Sequence, residues 1–125
     1  MKLTDLEPQF LRLVPPAPGH GTTWLEVSAV IDAHGLTFVC PVCYLAHGGV
    51  AGAHHILCWF ENRHDPLADR IGPPKWRVAG TGYADLSFTG LKFNSVRMLG
   101  GCKAHFHITN GVVRDCPEPG QEAAY

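Results

Sequence analysis

The chain lacks an excess of charge of either sign. Lys and Arg total 10 against 11 Asp and Glu, a formal net charge of −1, so no basic face for nucleic acid is expected. It lacks an apolar run of membrane-spanning length. Its start, Met1-Lys2-Leu3-Thr4-Asp5-Leu6-Glu7, lacks the apolar core of a signal peptide. The expected location is therefore a thiol-reducing cytoplasm, where cysteine pairs read as metal ligands before disulfides. The count of 5 cysteines is odd, which also fits a disulfide framework badly. Familiar catalytic signatures are missing as well. There is no H-E-x-x-H and no Gly-x-Ser-x-Gly elbow, and Gly80-Thr81-Gly82 is too short to cradle a phosphate. The zinc deaminase pattern needs a proline before its C-x-x-C, whereas Pro41 lies inside the pair.

What the chain does have is glycine, proline and histidine. With 14 Gly and 10 Pro in 125 residues, many turns and short strands are expected rather than long helices. The hydrophobic share of 46% suits one globular domain with a modest core, and the length is too short for two. The expected organisation is a single zinc-binding domain over 1–125. Its core spans about 24–116, between an N-terminal arm, 1–23, and a polar tail, 117–125.

Local patterns support a mostly β fold, with a small α+β variant as the alternative. The expectation is a compact mixed or antiparallel sheet, curled toward a barrel and stapled by zinc. Gln9 to Val14 reads as a short edge strand ended by Pro15-Pro16, and Trp24 to Ile31 as strand or helix. Leu36 to Val39 reads as a strand entering a cysteine turn, and Tyr44 to Gly52 as a loop. His54 to Glu61 reads as a strand with His55, Leu57 and Trp59 on one face and His54, Ile56, Cys58 and Phe60 on the other. Trp76 to Val78 and Leu86 to Phe88 read as short strands, and Asn62 to Pro74 as a loop. The clearest local signal is Asn110-Gly111 between Ala104–Thr109 and Val112–Arg114, a two-residue hairpin turn.

Chemistry gathers at two places. Cys40-Pro41-Val42-Cys43 and Cys102-Lys103-Ala104-His105 each aim two donors at one point. Thiolate with imidazole favours zinc, which takes four such ligands tetrahedrally. The expected metal ligands are Cys40, Cys43, Cys102 and His105, with Gly100-Gly101 allowing a tight backbone turn. His47, at Cys43-x3-His47, competes with His105 for the fourth place.

Two other readings stand beside this one: ordinary packing roles for the four residues, and a redox-active Cys40–Cys43 pair. The redox reading wants a helix starting at the first cysteine, and the run into Gly48-Gly49 argues against one. His107 lies about 7 Å beyond His105 along a strand, too far for the same ion but placed to line a cleft. His107 and His55 are the candidate acid–base residues should the protein be a zinc hydrolase. One of His54 and His55 must point inward if that strand is buried on one side, and a lone histidine of this kind reads as a hydrogen-bonded core residue first. Cys58 reads as a small buried hydrophobe, and Cys116 as lying outside the metal set. Glu61, Asp65, Asp69 and Asp85 could serve as bases but share no recognised spacing.

The stretches Trp76 to Gly82, Asp85 to Phe88, Asn94 to Val96 and Gly101 to Val113 resemble a family of small uncharacterised proteins. These occur in bacteriophages, prophages and bacteria, some beside ubiquitin-like modification genes. The family pattern is a cysteine-rich turn, a Trp, a Thr-Leu-x-Pro-Ser-Ile-like run and a closing Cys-x-x-His-Phe-x-Ile-x-Asn-Gly hairpin. The resemblance covers roughly residues 36–114, and its implied zinc ligands fall on Cys40, Cys43, Cys102 and His105. Two positions depart from it: Asn94 stands for the Pro of the Pro-Ser-Ile run, and Tyr44 for the Gly after the cysteine turn. The resemblance carries no assigned reaction. The expectation is thus a zinc-stabilised accessory or interaction module of phage or prophage origin with an unidentified protein partner. The alternative is a small zinc hydrolase.

Overall fold

The structure is a computed structural model that describes residues 1–15, 18–19, 21, 23–46, 54–61, 67, 74–89, 95–98 and 102–116. The fold is mostly β. The nine strands among the described residues are β1 (Gln9–Val14), β2 (Thr23–Val27), β3 (Gly35–Val39), β4 (His55–Trp59), β5 (Val78–Ala79), β6 (Ser87–Phe88), β7 (Ser95–Arg97), β8 (His105–Thr109) and β9 (Val112–Asp115). They form three sheets rather than one: β2-β1-β3-β4, β5-β6 and β7-β8-β9. Every strand pair is antiparallel. Short 3-10 turns at Leu3–Leu6, Val30–Asp32 and Tyr83–Asp85, and one helix, α1 (Pro41–Ala46), complete the described elements.

β1 is not an edge strand. It pairs with β2 on one side and β3 on the other, because the chain after Pro15 folds back and Thr23–Val27 resolves as strand. The segment read as an N-terminal arm is also part of the core: Leu3, Leu6, Phe10 and Leu11 are buried. It is held from its first residues, where Lys2 bridges Val112 and the Val113 N–H donates to the Met1 carbonyl at 2.7 Å.

Alternation sorts the side chains. In the β3–β4 ladder Phe38 opposes Ile56 and Leu36 opposes Cys58, all buried on the inner face. Gly35 opposes Trp59 and Val39 opposes His55 on the other face. Gly35 is required there, since a Cβ would lie 2.6 Å from the Trp59 ring. The inner face meets the third sheet through Phe38 and Phe106, whose rings cross edge to face at 5.8 Å. Trp76 stacks on Phe88 and donates its indole N–H to the Ser95 carbonyl at 2.8 Å, which links the two smaller sheets. These side chains belong to one hydrophobic cluster.

The β8–β9 hairpin turns at Asn110 and Gly111, both at positive φ (49° and 72°), as the primed turn requires. Along β8 the buried residues are Phe106 and Ile108, while His105 and His107 are half-buried on the opposite face.

Asp85 closes the neighbouring loop. Its carboxylate accepts from the Thr81 and Gly82 backbone N–H groups and from the Thr81 hydroxyl at 2.9–3.1 Å. These bonds, the Thr81 backbone first, hold its pKa below the ordinary carboxylate value. The stabilisation is therefore present above the unfolded-state pKa of about 4 and is lost as pH falls through the lower folded value. Asp85→Asn is expected to lower the melting temperature at pH 7, and the difference from the parent is expected to narrow as pH falls below about 4. Thermal melts of both proteins across that range check this, and a constant difference would contradict it.

Candidate metal centre

The site forms where β3 ends and β4 begins. The Cys40 backbone N–H donates to the His54 carbonyl at 2.9 Å, extending the β3–β4 ladder by one residue pair. Cys40 continues the inner face of Phe38, and His54 that of Ile56, so the ladder brings both to one side of the sheet. The chain then enters α1 directly after Cys40. Pro41 suits the first helical position, having no N–H to leave unsatisfied. The Tyr44 N–H donates to the Cys40 carbonyl at 2.9 Å, which closes the turn and returns Cys43 beside Cys40. The reading of Tyr44 onward as a loop thus gives way to helix as far as Ala46. Cys102 arrives from the third sheet. Lys103, at φ 53°, turns the backbone between Cys102 and the start of β8.

The ligand atoms of Cys40, Cys43, His54 and Cys102 all lie within 4.8 Å of one another. Cys40 Sγ is 3.6 Å from Cys102 Sγ, and Cys102 Sγ is 3.5 Å from His54 Nε2. A tetrahedral zinc at its usual bond lengths spaces sulfurs by about 3.8 Å and sulfur from nitrogen by about 3.6 Å. The two contacts match the edges of such a tetrahedron, and three sulfurs with one imidazole form a structural zinc donor set. The cluster can hold a metal ion.

The four residues differ in environment. Cys40 is buried, Cys43 and Cys102 are half-buried and His54 is exposed. Burial pushes the Cys40 thiol up to about 11. Burial and a hydrogen bond with Cys102 also raise Cys43. At Cys102 burial acts upward. Hydrogen bonds from His54, from the Ala104 backbone and from the other two thiols outweigh it, and the thiol falls to about 7. A helix does begin after Cys40, yet a buried cysteine with a raised pKa is the opposite of an activated redox thiol.

Of the residues singled out by sequence, Cys40, Cys43 and Cys102 come together, and His105 stands apart from them. Its Nε2 lies 3.3 Å from Ser95 Oγ, because the alternation that sends Phe106 into the core turns His105 toward β7. His54 stands beside the thiols instead. The signal for it was its parity with Ile56, Cys58 and Phe60, joined to the pairing of β3 with β4. His107 faces with His105, and its Nδ1 lies 3.4 Å from Thr109 Oγ1. His55 is on the opposite face of β4 from His54. Cys58 is fully buried and burial pushes its thiol well up, in keeping with a hydrophobic role. The Cys116 backbone N–H donates to the His105 carbonyl at 2.9 Å. Of the acids, Asp85 is engaged in its loop and Glu61 is exposed. His47, Asp65, Asp69, Asn94, Gly100-Gly101 and the tail 117–125 lie outside the described residues.

Fold and site together define a small, mostly antiparallel β protein with a Cys3His cluster suited to a metal ion. No family model matches the chain, and neither a curated protein nor a solved structure matches it. No helix among the described residues is long and apolar enough to cross a membrane.

Proposed function

We propose that the protein is a zinc-stabilised accessory or interaction module, with Cys40, Cys43, His54 and Cys102 holding one zinc ion as a structural staple. One observation carries this reading: four donor atoms from three chain segments lie within 4.8 Å of one another, at tetrahedral spacing where contacts are resolved. Four protein ligands close the coordination shell, and a closed shell leaves no place for an activated water. That favours a module over the zinc hydrolase alternative, whose candidate residues His107 and His55 are not among the clustered donors. A protein partner, and the phage or prophage origin that the family resemblance implies, belong to the same proposal.

Elemental analysis of protein purified without added metal is expected to give about one zinc per chain. His54→Gln is expected to lose zinc on dialysis against a chelator, whereas His105→Gln retains it. Zinc lost from His105→Gln and kept by His54→Gln would overturn the ligand set. Absence of zinc from the parent protein would overturn the reading as a whole.

A further inference from the structure

We propose that the staple is exchangeable: under peroxide the zinc leaves and a Cys40–Cys102 disulfide closes the same junction. The inference rests on the metal reading above and extends it to regulation of that site. Cys40 Sγ and Cys102 Sγ are 3.6 Å apart, a contact between residues 62 positions apart in sequence. Cys40 is fully buried at the end of β3, and Cys102 is half-buried beside the exposed His54. Oxidant thus reaches Cys102 before Cys40, and Cys40, in contact with it, attacks from the protein side.

The chemistry balances with hydrogen peroxide as the two-electron oxidant. The Cys102 thiolate attacks one peroxide oxygen, the O–O bond breaks, and hydroxide leaves a sulfenic acid. Cys40, whose proton zinc binding has already displaced, then attacks that sulfur as a thiolate while the ion leaves; the S–O bond breaks, and a second hydroxide departs as the S–S bond forms. Two thiolates have lost two electrons, and the peroxide has become two hydroxides, which take protons as water. Only Cys43 and His54 remain as donors, too few to hold zinc in a closed shell. The other bond open to Cys40, with Cys43, would span a single helical turn and release the segment carrying Cys102. The Cys40–Cys102 bond instead joins β3 to the chain entering β8, as the metal does.

The test treats zinc-loaded protein with stoichiometric hydrogen peroxide. Zinc release is followed with a chromophoric chelator, thiols are counted after denaturation, and the bond is mapped by mass spectrometry. Fragmentation between Cys40 and Cys43 assigns the bond in the unmutated chain, so no variant has to fold. The expected result is one zinc released per disulfide, thiols falling from the 5 of the sequence by two, and a Cys40–Cys102 crosslink. The β circular-dichroism spectrum should persist, and dithiothreitol with zinc should restore the starting state. A Cys40–Cys43 or Cys43–Cys102 bond, oxygen added without a crosslink, or unfolding as zinc leaves would each overturn the exchange alone. A chain that holds no zinc before peroxide would overturn the metal reading, and the exchange with it.

Discussion

Cys102→Ala is expected to abolish zinc binding and to leave the domain unfolded or nearly so at room temperature. Structural zinc in small domains carries on the order of 10 kcal/mol of apparent binding energy. Whole domains have only about 5–15 kcal/mol of stability, so losing the ion removes a large part of it. Geometry adds to the loss. Cys102 is the clustered donor on the segment entering β8 of the third sheet, so with the proposed zinc its removal would cut the link between that sheet and the β3–β4 ladder. Cys40 and Cys43 remain, but two thiols and one histidine make a weaker site with an open position. The control is Cys116→Ala, outside the cluster, which is expected to change the melt little. Circular-dichroism melts of the three proteins, each purified and melted with equimolar zinc present, decide the point. A Cys102→Ala melt that overlays the parent would refute the structural role of the metal.

The second large effect is expected at Gly111. Its φ of +72° disfavours any side chain, and a Cβ there would collide with the Ala84 carbonyl oxygen. Three segments meet at this residue: its N–H donates to the Leu86 carbonyl at 2.8 Å, and its own carbonyl accepts the Leu3 N–H at 2.8 Å. Alanine cannot be accommodated without moving the Tyr83–Asp85 turn off the hairpin. Gly111→Ala is therefore expected to cost roughly 2–4 kcal/mol in urea unfolding, within the range of severe single-site backbone effects. Gly19→Ala separates the two causes. Gly19 has a similar φ of +78° but nothing among the described residues within 4 Å of its Cβ position, so it should lose only about 1–2 kcal/mol from the left-handed conformation. Equal losses at the two positions would show that crowding against Ala84 contributes nothing.

What could be read from sequence was what local chemistry decides. The Asn110-Gly111 turn demands positive φ at both residues, and that demand made the hairpin legible. The two faces of His54 to Glu61 follow from a period of two, and burial follows that alternation. What could not be read depends on pairing between distant segments. β1 looks like an edge strand until β2 is known to fold back on it. His54 looks like an ordinary histidine until β4 is aligned on β3, when it falls opposite Cys40. His105 had ligand spacing in sequence, but the core position of Phe106 governs where it points. Spacing motifs report which residues can share a point, whereas strand register determines which ones do.

The three tryptophans turn this architecture into its own reporter system. Trp76 is 3% exposed, with its indole bonded to Ser95, so its fluorescence answers to the contact between the two small sheets. Trp24 is 50% exposed and meets Trp59 edge to face at 6.1 Å across the outer face of the four-stranded sheet. Single-tryptophan versions would therefore separate events that a global melt merges. A red shift confined to Trp76 on chelation would mean that the small sheets come apart while the four-stranded sheet survives, and simultaneous shifts would mean one cooperative unit.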